Sequence, residues 1–264
     1  MTHADTLSQE SCGAGDDGDS CFASLHDIRF GKTPIAIVPR SVPLLEQHEE
    51  ERAAVLAQLE KACRSVRGDG RTGTPSDMRT RATVWSTGFS ELDAVLAGGG
   101  WPAGAITELM PEAQGIGEIS LVLPALAAIC GAGRSVAWIA PPFLPYAPAL
   151  MRHGIALEQL LWVQARDART ALWATEQALR CPAIGAVLAW PENVDDRRLR
   201  RLQLAAESGG GCALLYRPQR CAREHSPAAL RLLLRAGATG LHIDVHKARG
   251  GRTHAVVVHP AAAA

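Results

Sequence analysis

Several features that would assign a chain to a class are missing here. A membrane-spanning helix needs roughly 18 or more consecutive apolar residues, and no run of that length occurs in the 264 residues. The seven cysteines are scattered, odd in number and without a Cys-x-x-Cys pair. Neither a zinc site nor a disulfide framework is therefore indicated. No Gly-x-Ser-x-Gly elbow is present to aim a nucleophile. Net charge is also absent, with Lys plus Arg and Asp plus Glu at 27 each. The whole chain is therefore not a basic nucleic-acid binder.

What is present is apolar mass. Hydrophobic residues make up 47% of the chain, enough for one domain of ordinary size plus an extension. Charge is unevenly placed. From Asp195 onward 12 basic residues face five acids, a local excess of 7. That third permits an acidic partner or a nucleic acid, but its aromatic residues are too few for base stacking. The opening MTHADTLSQESCGAGDDGDS is polar and acidic. It argues against a secretory signal and for a cytoplasmic protein, and residues 1–40 are expected to form a largely disordered tail. Within it Gly31-Lys32-Thr33 resembles the end of a phosphate loop, but the upstream Gly is absent and Pro34 disfavours a following helix.

Pro43 to Val66 reads as a charged helix with one apolar face from Val55 onward, and a linker, RGDGRTGTPSDMR, follows. The helix and linker (41–80) are expected to lie outside the main domain (81–260). From Val84 the pattern becomes globular. Helices are expected at Ser90–Leu96, Ile119–Cys130, Ala147–His153, Ala168–Arg180, Asp195–Ser208 and Ser226–Arg235, the last capped by Ser226-Pro227. Strands are expected at Ala105–Met110, Ser135–Ala140, Leu160–Val163, Ala183–Trp190 and Cys212–Tyr216. Leu241–His246 and His254–His259 close the chain as antiparallel strands. Such alternation implies an α/β fold, a mostly parallel sheet with helices on both faces.

The chain is organised around Pro111-Glu112-Ala113-Gln114-Gly115-Ile116-Gly117-Glu118. It follows a short buried strand and precedes an apolar helix, the setting of a phosphate-binding loop. That motif wants a Lys for the β/γ-phosphates and then a hydroxyl for magnesium. Aligned on Gly115, those positions hold Ile116 and Gly117, and Glu118 then puts an anion where a helix N-terminus would attract one. Two readings fit: a nucleotide-binding architecture that no longer binds nucleotide, or a turn that never did.

In this order the core resembles the RecA-like superfamily. More closely it resembles the ImuA family, RecA-like proteins associated with bacterial translesion DNA synthesis. The stretches that carry the resemblance are GGGWPAGAITELM, GIGEISLVLPALAAI, WIAPPFLPYAPAL, ALWATEQALR, AVLAWPE, RRLQLAAE and SPAALRL, between about Thr87 and Arg235, with KARGG at 247–251. The resemblance implies a RecA-like core with a degenerate nucleotide site. Ile116 and Gly117 replace the Lys and Thr, the strand ending at Trp190 lacks the second metal-associated Asp, and Pro142 stands near the catalytic Glu's place. It implies no enzyme activity and no cofactor or metal. It further implies an adaptor in the SOS-induced mutasome that binds ImuB, an inactive Y-family polymerase homologue. Through ImuB it would serve an error-prone DNA polymerase III α-subunit homologue, with RecA and DNA as further partners and no membrane contact. The SulA-type cell-division inhibitor, which shares the degenerate fold, is the alternative.

Outside the loop (Pro111, Glu112, Gly115, Ile116, Gly117 and Glu118), two basic clusters are candidate contacts for DNA or a partner. Arg197, Arg198 and Arg201 share one side of a helix whose Leu199 and Leu202 face the core. Lys247, Arg249 and Arg252 flank Gly250-Gly251 in a hairpin-like loop. Each cluster also fits an ordinary solvated surface. His242 and His246 sit about 13 Å apart on a strand, too far for one metal. Gln159-Leu160-Leu161-Trp162 reads as the lead-in to a buried strand.

Overall fold

A computed structural model describes residues 29–30, 33–34, 49, 52–61, 84–165, 167–250 and 253–260. Arg29–Phe30 (β1) pairs antiparallel with Thr33–Pro34 (β2). The Gly31-Lys32 part of the GKT stretch lies outside the described residues, as do nearly all of the expected N-terminal tail and the linker. Residues 52–61 form a helix (α1). Val84–Trp85 (β3) and Trp101–Pro102 (β4) pair as a small ribbon on either side of Ser90–Val95 (α2).

The main sheet follows. Its strands are Ile106–Pro111 (β5), Ser135–Ile139 (β6), Leu160–Val163 (β7), Ile184–Ala189 (β8), Cys212–Tyr216 (β9), Leu230–Gly237 (β10), Gly240–Ala248 (β11) and Ala255–Val258 (β12). Between them run Leu123–Gly131 (α3), Ala147–Arg152 (α4), Ala168–Arg180 (α5) and Asp196–Gly209 (α6). The spatial order is β12-β11-β10-β5-β9-β8-β6-β7. From β10 to β7 every pairing is parallel, and β11 pairs antiparallel with both its neighbours. The sequence reading of a mostly parallel sheet with antiparallel C-terminal strands holds.

Strand alternation splits the core into two layers. Val136, Trp138, Leu188, Leu214 and Leu232 face the layer of α2, α3 and α4. Ala137, Ile139, Val187, Ala213 and Leu215 face the other, with α5 and α6. Helix α1 packs on this second layer through Val55 and Leu59, both buried. A sheet buried on both sides needs continuous apolar strands, and β6, β7, β8 and β9 are buried at every position.

Two expectations are corrected. The segment Ser226–Arg235 is not a helix; its second half is β10. Leu230, Leu232 and Leu234 enter one core layer while Arg231 turns to the other face, a period of two. Ser226 does not cap a helix: its hydroxyl donates to Glu108 Oε1 at 2.8 Å, and Ala228 N–H donates back to it at 3.2 Å. The helix expected from Ile119 starts at Leu123. Pro124 has no N–H to give, so it fits only the first helical turn, and residues 118–122 remain a chain of turns.

Candidate functional site

Strand β5 delivers its loop at the carboxyl edge of the parallel strands, between the ends of β9 and β10, where open α/β sheets bind ligands. Pro111 closes β5 opposite Leu234. Glu112 then ties the loop to β10: its N–H donates to the Leu234 carbonyl at 2.9 Å, and its Oε1 accepts the Ala236 N–H at 2.6 Å. Gly115 and Gly117 turn the chain with φ of +81° and +99°, open to glycine at little cost. Ile116 leans on the first core layer.

Glu118 folds back into this turn. Its Oε1 accepts the Gly115 N–H at 3.2 Å, its second oxygen is buried without a hydrogen-bond partner among the described residues, and the residue is 8% exposed. The loop amide that would face an anionic ligand is occupied by the protein's own carboxylate. Beneath it, the Tyr216 hydroxyl donates to the Glu118 carbonyl at 3.1 Å. Burial, with the Glu118 charge adding to it, holds the Tyr216 hydroxyl well above its ordinary pKa, so it stays a donor. Trp190 stacks on Tyr216 at 4.9 Å and 8°, and Trp138 stands 6.0 Å beyond. The ends of β6, β8 and β9 are thus filled with rings.

Sequence reasoning read β5 as a short buried strand and missed the charge at its centre. Glu108 is fully buried and accepts from Arg217 Nη1 (2.9 Å), Ser226 Oγ (2.8 Å) and Arg231 Nε (2.6 Å). Arg217 reaches on to Glu224 at 2.8 Å, and Arg231 donates to the carbonyls of Cys221, Ala222 and Glu224. This network pins the crossover from β9 to β10 onto the sheet. Burial pulls the Arg217 pKa down, but the Glu108 charge and hydrogen bond outweigh it and the net shift is upward. The warnings in the sequence were Glu108 within the largely apolar β5 and Arg231 within β10.

The two basic clusters part company. Leu199 and Leu202 are buried, as the helical spacing required. Arg198 and Arg201 open into a groove of about 530 Å³ between α1, α5 and α6, where Arg52 and Arg169 join them. Arg197 is exposed outside it. Arg201 and Arg180 each hold one oxygen of Glu176, at 2.6 and 2.7 Å. The Arg52 guanidinium lies 5.0 Å from the Trp173 ring centre, and its Nε is buried without a partner among the described residues. The hairpin lies elsewhere. Strand β11 runs antiparallel, so Lys247 and Arg249 reach the opposite edge of the sheet from the glycine loop. There Lys247 Nζ donates to the Ser226 carbonyl at 2.8 Å, and the Arg249 N–H donates to the Ala229 carbonyl. Arg252 lies outside the described residues.

Among the described residues no His/Cys/Asp/Glu group could hold a metal ion, and no helix is long and apolar enough to cross a membrane. The class so defined is an α/β protein with a mostly parallel mixed sheet and a glycine loop sealed by its own carboxylate. Half of this chain is similar in sequence to Protein ImuA. The chain is 32% identical over 138 residues to Protein ImuA from two strains of Caulobacter vibrioides, a match covering 50% of this chain and 57% of that protein. The match therefore spans little more than half the length of these relatives. It is also 27% identical over 111 residues to Cell division inhibitor SulA of Photorhabdus laumondii, covering 42% of this chain and 63% of the relative. To the SulA of Edwardsiella piscicida it is 31% identical over 102 residues, covering 38% and 61%. No protein-family model matches the chain.

Proposed function

We propose that this protein is a non-catalytic adaptor of the DNA-damage response, built on a RecA-like fold whose nucleotide site is closed. The observation that carries the reading is Glu118: its carboxylate takes the Gly115 N–H in a loop with no Lys or Arg between 111 and 118. An ATPase needs a cation and free amides at that place for the developing phosphate charge. The ImuA similarity supports a damage-response context, and the proposal sets it within SOS-induced translesion synthesis with damage-induced mutagenesis. In that context the partner is an ImuB-type inactive polymerase homologue and, through it, an error-prone polymerase α-subunit homologue. RecA and DNA are further contacts, and the site of action is the cytoplasm.

Titration of the purified chain with a fluorescent ATP analogue and magnesium is expected to give no saturable signal. Co-purification with the ImuB-type homologue at moderate salt is expected to recover a complex. Saturable ATP binding with turnover would overturn the closed-site reading, and an empty pull-down the adaptor reading. The SulA matches support a second reading, inhibition of cell division. Filamentous growth on overexpression, with damage-induced mutagenesis unchanged on deletion, would favour it.

A further inference from the structure

The groove between α1, α5 and α6 is unlike an ordinary solvated face. Four guanidiniums, from Arg52, Arg169, Arg198 and Arg201, border it. The carboxylate in its lining is that of Glu176, already held by Arg180 and Arg201. Arg52 and Arg169 hold no carboxylate among the described residues, and Arg198 meets Asp195 only at 3.5 Å with both side chains more than half exposed. The floor between these cations is apolar, made by Leu172, Trp173 and Leu202. Cations around an apolar floor select a ligand that carries carboxylates and apolar anchors together.

We propose that this groove is a docking site for an acidic peptide segment of a partner protein, with carboxylates paired to Arg52, Arg169 and Arg198 and an apolar side chain seated on Leu172 and Leu202. Glu176 shows the recognition in miniature, one carboxylate gripped by two guanidiniums. A nucleic acid fits less well, because base stacking needs an open aromatic face and Arg52 already covers Trp173. The volume, about 530 Å³, suits a few side chains rather than a strand of nucleotides. The inference rests on the adaptor reading and deepens it by giving the partner a chemistry.

The test is fluorescence anisotropy of the full chain with labelled probes at low and high salt. The first probe is an amphipathic peptide with Glu at its charged positions and Leu and Phe as anchors. The second is poly-Glu without anchors, and the third is single-stranded DNA of similar charge. The amphipathic peptide is expected to bind most tightly. Arg169→Glu with Arg198→Gln is expected to weaken it at least about tenfold, while Arg249→Glu, at the far edge of the sheet, leaves it unchanged. Thermal melts of the variants establish folding. Should the double variant fail to fold, Arg52→Met is expected to weaken the peptide by itself. No saturable peptide binding, indifference to these arginines, equal binding of poly-Glu, or tighter DNA binding through the same arginines would each overturn the proposal. None of these outcomes touches the closed nucleotide site, which the ATP titration tests separately.

Discussion

Glu108 is a charge that the chain buries completely at the centre of its sheet. Such a group survives only when every lone pair is met, because an uncompensated buried ion costs several kcal/mol. Here two guanidiniums and a hydroxyl meet it. Glu108→Gln keeps the shape and removes the charge, leaving Arg217 and Arg231 buried with Glu224, itself half exposed, as the remaining carboxylate. Destabilisation by about 3–5 kcal/mol is expected, a drop in melting temperature on the order of 10 °C. A loss too small to measure would mean the network is ornamental. Its existence was not legible beforehand: β5, β9 and β10 must be neighbours before Glu108, Arg217 and Arg231 can meet, and no local pattern carries that adjacency. The loop was legible in part. The missing Lys and hydroxyl could be read from Ile116 and Gly117, but the return of Glu118 onto Gly115 N–H is a matter of backbone path. That path also blocks simple conversion into a phosphate loop. Gly117 sits at φ +99°, closed to a β-branched residue. Ile116→Lys with Gly117→Thr is expected to lose about 1–3 kcal/mol to strain and to gain no ATP binding. Retention of ATP by the melt-stable double variant would show that Glu118 does not close the site.

Helices α5 and α6 are the elements on which the proposed surface depends, each capped at its start and packed against the other at its far end. At the starts, Asp167 accepts the N–H groups of Arg169 and Thr170, and Asp195 accepts that of Arg198. These caps align the arginines that border the groove. At the far end Gly209 meets the backbone of α5: a Cβ there would stand 1.8 Å from the Leu179 carbonyl oxygen. Backbone cannot yield as a side chain tip can, so Gly209→Ala must push the helices apart. The expected cost is about 2–3 kcal/mol, with a weaker acidic-peptide signal at temperatures where the variant is still folded. An unchanged melt would show that the helices pack more loosely than this contact requires. Both helices were readable from the sequence to within a residue. The failure at Ser226–Arg235 has a physical reason. Ser-Pro followed by apolar residues satisfies helix-start chemistry, but Arg231 is held by Glu108 and the vacant slot beside β5 favours an extended strand. The competing signal was present in two apolar runs on either side of Ala238-Thr239, the two-residue turn that joins β10 to β11.

Across the whole molecule, burial of weak acids ties stability to alkaline pH. Cys212 lies at 1% exposure, and burial pushes its thiol from 9.0 up to about 12. Burial also raises Cys130 and Cys221, and Tyr216 stands well above its ordinary 10.0. In each case the folded chain keeps a proton that the unfolded chain gives up. Below the unfolded values, near 9.0 for the thiols and 10.0 for the phenol, both states are protonated and these groups add no pH dependence. Above them the folded state binds more protons, so unfolding becomes easier as pH rises, by up to about 1.4 kcal/mol per pH unit for each fully buried group. For Cys212 the loss continues until the pH approaches about 12. Lys247 runs the other way, its pKa lowered by partial burial, but it is an exposed side chain and solvent screens its contribution. Urea melts between pH 7 and pH 11 should therefore be flat at first and fall steeply beyond about pH 9. Cys212→Ala and Tyr216→Phe each remove one titrating group, and each should flatten the fall, Cys212→Ala from a lower pH than Tyr216→Phe. If the curve falls equally in both variants and in the parent chain, the alkaline loss comes from surface charge rather than from the buried thiol and phenol at the two ends of β9. The Cys212 thiol at the amino end of β9 and the Tyr216 ring at its carboxyl end would then have to be more open to water than their burial indicates.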